Sequence, residues 1–198
     1  MNKKMLAIFT ILLSALAITG YTYSTWLETL KIHSTSNIAE FSIYIQNHNS
    51  TQTWQISPNN HTLELTGSIR PNQTIWTGII IKNNGTTPAA ITYAITTNDT
   101  STWQTYFTHN KYFYGPYATN PPPDKWENAP TLPPSGGLST PPELPAQNKL
   151  VAWQNITLNI NCPQDAFTAI EITVAYTATF HTWTDTIYVI YTLTFQSP

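Results

Sequence analysis

The residues that could do chemistry in this chain are few and scattered. Five histidines stand at positions 33, 48, 61, 109 and 181, a single cysteine at 162, and ten carboxylates at Asp99, Asp124, Asp165, Asp185 and six glutamates. A metal centre needs ligands that converge, and zinc sites signal themselves by His at i, i+4 or by short Cys and His spacings. The five histidines show no such spacing. General acid–base work needs two carboxylates placed to share a proton, and the ten lie on separate predicted loops and strand faces. Nucleophile elbows, phosphate loops and dinucleotide turns need glycines at fixed offsets; the chain has 7 glycines, none so arranged. Cys162, in Asn161-Cys162-Pro163, has no histidine near it in sequence to activate the thiol and reads as a small buried hydrophobe at a strand end. These observations imply no enzyme, no metal and no cofactor.

Two other kinds of site are written in the sequence. Asn-x-Ser/Thr acceptors for N-glycans occur at Asn49, Asn60, Asn72, Asn84, Asn98 and Asn155, several of them at predicted turns. Seven tryptophans raise the prospect of stacking platforms for sugars, with Trp103, Trp126, Trp153 and Trp183 the candidates. Against that stands the ordinary role of tryptophan, which is to fill a core or a subunit interface.

Composition narrows the class further. Of 198 residues only 9% are charged, against about a quarter in an ordinary soluble domain, while 41% are hydrophobic and 13% aromatic. Thr, Ser and Asn supply the polarity instead. With Lys and Arg totalling 8 and no basic run beyond Lys3-Lys4, the phosphate-neutralising patch that nucleic-acid binding requires is missing. Lys3-Lys4 opens instead onto an apolar run from Met5 to Ile18, too short to span a bilayer and of the length of a secretory signal. Small-x-small cleavage sites follow at Ala15-Leu16-Ala17 and at Thr22-Tyr23-Ser24, the second leaving Thr25 first. The expected protein is therefore secreted, touching the membrane only through residues 1–24 before their removal; the alternative is an uncleaved anchor, with Gly20 to Tyr23 extending the apolar stretch into the membrane interface.

The elements that would carry any site are strands. From Trp26 onward apolar residues alternate or run in short β-branched blocks, and no dozen-residue window repeats at helical spacing. The strands expected are 26–32, 41–46, 53–56, 63–69, 74–82, 90–97, 103–107, 151–160, 169–181 and 186–196, the last two joined through residues 182–185 as a long hairpin. Asn83-Asn84-Gly85 reads as a turn in which Gly85 takes a positive φ. This pattern predicts an all-β, two-sheet β-sandwich of jelly-roll type. Between Gly115 and Pro145 it stops; the stretch holds 10 of the 15 prolines and reads as a stiff, partly ordered insertion without the makings of a core.

The unusual segment comes straight after the signal. Residues 25–32 place Trp26, Glu28, Leu30 and Ile32 on one face of a strand and Leu27, Thr29 and Lys31 on the other. It has no hairpin partner, and the polar spacer from His33 to Asn37 would let it leave the body of the domain. A free amphipathic strand of this kind is what β-strand addition uses. The alternative is that it closes its own sandwich as an ordinary first strand. The domain organisation expected is thus a signal at 1–24, an N-terminal strand at 25–36 and a sandwich at 37–198 with its insertion at 115–145.

Several of these stretches resemble one family. Lys3-Lys4, the short apolar run, Gly20-Tyr21-Thr22-Tyr23-Ser24 and Trp26 are similar to the signal-to-strand junction of the TasA/camelysin family of secreted fibre proteins. Leu63 to Thr74, leading into Ile79-Ile80-Ile81-Lys82-Asn83-Asn84-Gly85-Thr86, resembles that family's strand, turn, strand and Asn-Gly turn, with Asn72 where the family often has glycine. The resemblance takes in the paired C-terminal strands and leaves the Pro-rich insertion uncovered. The charge-poor, Thr-rich surface is closest in character to archaeal bundling pilus subunits. The resemblance implies a jelly-roll subunit of a biofilm fibre or pilus, cleaved between Ser24 and Thr25, that polymerises head to tail by donor-strand complementation. Trp26, Leu27, Leu30 and Ile32 would then form the subunit interface, the partner would be a second copy of the chain, and the insertion would face neighbouring filaments in bundles. No metal-binding motif matches the proteolytic activity described for camelysin. The rival is a monomeric cell-surface binding module for carbohydrate or adhesion.

Overall fold

Alternating β-branched residues build nine strands, seen in a computed structural model that describes residues 41–127, 134–164 and 166–196. They are β1 Ile43–Ser50, β2 Thr53–Ile56, β3 Thr62–Ile69, β4 Thr74–Asn83, β5 Ala90–Thr97, β6 Phe107–Tyr117, β7 Lys149–Leu158, β8 Ala169–Phe180 and β9 Trp183–Phe195. A four-stranded sheet runs β1-β4-β7-β6 and a five-stranded sheet β2-β3-β9-β8-β5. The fold is the all-β two-sheet sandwich that the pattern predicts. Six strand pairs are antiparallel and one, β3 with β9, is parallel. Residues 39–198 form one compact unit; the expected signal at 1–24 and N-terminal strand at 25–36 lie outside the described residues.

The core lies between the sheets and follows the period-2 rule. Ile170, Ile172, Val174, Tyr176 and Ala178 of β8 and Ile187, Val189, Tyr191 and Leu193 of β9 are all buried in it, with Ile79 and Ile81 of β4 and Leu150 and Ala152 of β7. The β8–β9 hairpin is tighter than expected. Phe180 pairs with Trp183 across a two-residue turn, because His181 adopts a left-handed φ of 52° and the ladder continues to its end.

Two local expectations are corrected. Residues 100–106 form a short helix, α1, where a strand from Trp103 to Phe107 was expected; Asp99 caps it by accepting from the Thr102 backbone N–H at 3.0 Å and the Ser101 hydroxyl at 2.8 Å. Gly85 is not among the residues with positive φ. The Asn83 side chain makes that turn instead, its Oδ1 accepting from the Gly85 N–H at 2.9 Å and its Nδ2 donating to the Thr87 and Leu144 carbonyls.

The Pro-rich insertion also does more than stiffen the chain. Strand β4 and strand β7 are buried on both faces, and a second cluster of Ile80, Tyr114, Trp126, Val151 and Trp153 lies on the outer face of the four-stranded sheet. Trp126, which follows a 3-10 turn at Pro123–Lys125, supplies the insertion's side of that cluster. The backbone of Trp126 comes so close to Gly78 that a Cβ there would stand 2.5 Å from the Trp126 carbonyl oxygen. Further on, Leu138 exchanges backbone hydrogen bonds with Phe113 of β6, and Leu144 with Ala89 just before β5. The insertion is a cover for one sheet, with part of a core of its own.

Candidate functional site

Among the described residues no three His, Cys, Asp or Glu side chains come together to hold a metal, and no helix is long and apolar enough to cross a membrane. His33 and Asp165 lie outside the described residues, and several of the other chemical candidates have local partners. Asp99 is a helix cap, and the hydrogen bonds it receives there hold its carboxyl below the ordinary range. His61 lies 3.4 Å from Asp185, whose Oδ2 also accepts from the Ile43 N–H. His48 packs edge-on against Trp54, and burial lowers its pKa. Cys162 is buried and burial raises its thiol pKa, as suits an inert thiol.

His109 is the exception, because it belongs to a polar thread running through the core. Gln154 Nε2 donates to the Tyr191 hydroxyl at 2.7 Å, so Gln154 Oε1 must accept, and it does so from His109 Nε2 at 3.2 Å. The Tyr93 hydroxyl lies against the same imidazole, 3.1 Å from Nε2 and 3.3 Å from Nδ1. At the other end Thr77 bonds Tyr191, and its hydroxyl stands 3.1 Å from Ser50 Oγ, which donates to the Trp76 carbonyl. These contacts link β5, β6, β7, β9, β4 and β1 through polar side chains. Burial lowers the His109 pKa more than its bond to Gln154 raises it, with Lys111 lowering it further.

The thread surfaces where the two sheets end together, at β5 and β6. Here Lys111 Nζ sits 3.7 Å from the centre of the Tyr93 ring, and Trp103 of α1 stacks on Phe107. Burial lowers the Lys111 pKa. Two ion pairs occur among the described residues, His61 with Asp185 and Lys125 with Asp124, so no described carboxylate pairs with Lys111. Beside it a cleft of about 350 Å³ is lined by Ile95, Thr96, Thr97, Thr100, Trp103 and Gln104.

The sandwich has four edges, and they differ in how they are protected. The edge at β1 is broken by a bulge between Ile45 and Asn47 and tied down by the bond from the Ile45 N–H to the Asn60 carbonyl. The edge at β2 is only four residues long. The edge at β6 carries Lys111 and Pro116 and is bridged by Leu138. The edge at β5 is eight residues of Ala-Ile-Thr-Tyr-Ala-Ile-Thr-Thr, paired with β8 in an unbroken register, with no charge, no proline and no bulge. Among the described residues nothing else bonds its backbone.

The glycan acceptors divide by exposure. Asn72, Asn84 and Asn98 are exposed, and Asn49 and Asn60 half-buried. Asn155 lies within β7 at 6% exposure, with its Oδ1 accepting from Asn110. Of the candidate stacking tryptophans, Trp126 and Trp153 are buried and Trp103 is packed on Phe107, while Trp183 is 64% exposed. The interface candidates Trp26, Leu27, Leu30 and Ile32 and the cleavage residues Ser24 and Thr25 lie outside the described residues.

Comparison with known proteins adds little beyond architecture. No family model and no curated protein matches the chain. Solved structures that align with it include a family 123 glycoside hydrolase from Clostridium perfringens at 12% identity and a TM-score of 0.42, covering 79% of this chain and 28% of that one. The PapD-like domain 7 of human CEP192 aligns at 8% identity and a TM-score of 0.36, over 78% of this chain and 88% of the domain. The GAE domain of GGA2p from Saccharomyces cerevisiae aligns at 10% identity and a TM-score of 0.30, over 78% and 97%. The chain thus spans just over a quarter of the hydrolase, and at these scores none of the three bears on activity.

Proposed function

We propose that this chain is the secreted subunit of an extracellular filament, a pilus or biofilm fibre of the TasA-like kind, that polymerises by strand exchange between copies. The observation that carries this reading is the amphipathic strand-like segment at 25–32, which has no hairpin partner in sequence, in a chain whose described residues 43–195 supply two sheets packed on a shared core. A strand that leaves its own sandwich would be available to a neighbour. Each junction would bury Trp26, Leu30 and Ile32, worth about 1.5 to 3 kcal/mol apiece, and add backbone hydrogen bonds shielded from water. Such a contact is head-to-tail and does not close on itself, so it generates a filament. The insertion at 115–145 would lie along the filament as the surface for lateral association. Exposed Trp183 keeps a monomeric carbohydrate- or adhesion-binding module as the alternative.

Negative-stain electron microscopy tests the reading. The chain beginning at Thr25 should form filaments, and the chain beginning at Asn37 should stay dispersed while binding an added peptide of residues 25–36. Dispersed monomers from the Thr25 chain, at high concentration and after seeding, would transfer the case to the binding module.

A further inference from the structure

The assembly reading leaves open where a neighbour's strand would dock. A docking edge must be long enough to template a strand, free along its backbone and matched to the incoming side chains. Of the four edges only β5 meets the first two conditions among the described residues, its backbone free from Ala90 to Thr97, with the insertion's Leu144 bonding Ala89 just before it. The third condition turns on charge. The segment's apolar face carries one anomaly, Glu28 between Trp26 and Leu30, which would be costly against a purely apolar partner. The β5–β6 opening carries the matching anomaly: Lys111, laid over the Tyr93 ring and paired with no described carboxylate.

We propose that the β5 edge accepts residues 25–31 of a second copy of this chain, antiparallel and with Glu28 level with Tyr93, so that its carboxylate meets the Lys111 ammonium and the added strand ends at Ala90, short of the Ala89–Leu144 bridge. The assignment rests on the strand-exchange reading above. In this register Trp26 comes level with Ile95, at the cleft lined by Ile95 and Trp103, and Leu30 comes level with buried Ile91. On the outward face Thr29 comes level with Thr92, which is exposed. The ion pair fixes register where apolar contacts alone would tolerate slippage by two residues.

The test uses the chain beginning at Thr25 and follows filament growth by light scattering and electron microscopy. Glu28→Lys and Lys111→Glu should each slow growth about tenfold or more, as loss of one partner of a shielded pair does, and the double exchange should restore it. Thr29→Cys with Thr92→Cys should give an oxidation-dependent ladder of covalent oligomers; the single-cysteine variants, which retain buried Cys162, should not. Filaments from the parent chain with no ladder, or a double exchange no better than either single one, would overturn the β5 assignment and leave the assembly reading standing. A cross-link confined to one chain would show that the segment closes its own edge and would overturn the assignment too. Absence of filaments from the parent chain would overturn both.

Discussion

Single residues in this protein act mainly by closing hydrogen-bond circuits, and His109 is the one most exposed to pH. Its folded pKa lies below the ordinary histidine value of about 6.5, chiefly through burial. The unfolded chain therefore binds the proton more readily, and stability falls as the pH drops through about 6.5. His48, lowered by burial, has the same sign. Urea midpoints measured between pH 8 and pH 5 should decline on the acid side, and His109→Gln should flatten part of that decline. An unchanged slope in the variant would refute the role given to His109. At the other limit Tyr93, Tyr176 and Tyr191 are held protonated by burial, so stability falls again as the pH rises past about 10, where the unfolded tyrosines ionise. None of this circuit was legible in the sequence, because Tyr93, His109, Gln154 and Tyr191 come from four different strands. What was legible is local. Asn83 stands in the Asn-Asn-Gly stretch read as a turn, and its side chain closes that turn by accepting from the Gly85 N–H. The Asp99 cap carries a local signal, an Asp preceding Thr-Ser-Thr, which the strand-like pattern of residues 103–107 overrode.

At the scale of elements the alternation of side chains located most strands, with β2 and β5 at the expected bounds and β3, β4, β7, β8 and β9 within a few residues. It failed at β6, where Phe107 to Tyr117 mixes His, Asn, Lys and Tyr on both faces. That mixture arises because one face enters the polar thread and the other, through Tyr114, meets the insertion's aromatic cluster, so neither face looks apolar. The insertion was misread for a related reason: its core residue, Trp126, is isolated in sequence and finds Ile80, Val151 and Trp153 only through the fold. Two variants test its role as a cover. Trp126→Ala should cost about 3 kcal/mol, read from urea unfolding, since it empties a buried site that does not collapse. Gly78→Ala should lift the cover by driving a methyl group into the Trp126 backbone, making residues 118–145 newly sensitive to limited proteolysis while the β8–β9 hairpin stays protected. If both variants left stability and cleavage unchanged, the insertion would be only loosely laid on the sheet.

For the whole molecule the two readings of residues 25–36 make opposite thermodynamic demands. If that segment were the first strand of its own sandwich, removing it would strip three large apolar side chains from the core at about 1.5 to 3 kcal/mol each, and Tm would drop by about 10 °C or more. If it serves a neighbour, the chain from Asn37 keeps every core residue from Ile43 to Leu193, and its Tm should match that of dispersed Thr25 chain within about 2 °C. The free edge would then behave as a ligand site. Peptide 25–36 should raise the Tm of the Asn37 chain progressively with peptide concentration, as any ligand specific to the folded state must, and the peptide bearing Glu28→Lys should raise it less at every concentration. Calorimetry distinguishes these outcomes without any filament having to form. A large loss of Tm on truncation, with no recovery on adding peptide, would make the segment an integral strand and remove the physical basis for assembly by exchange.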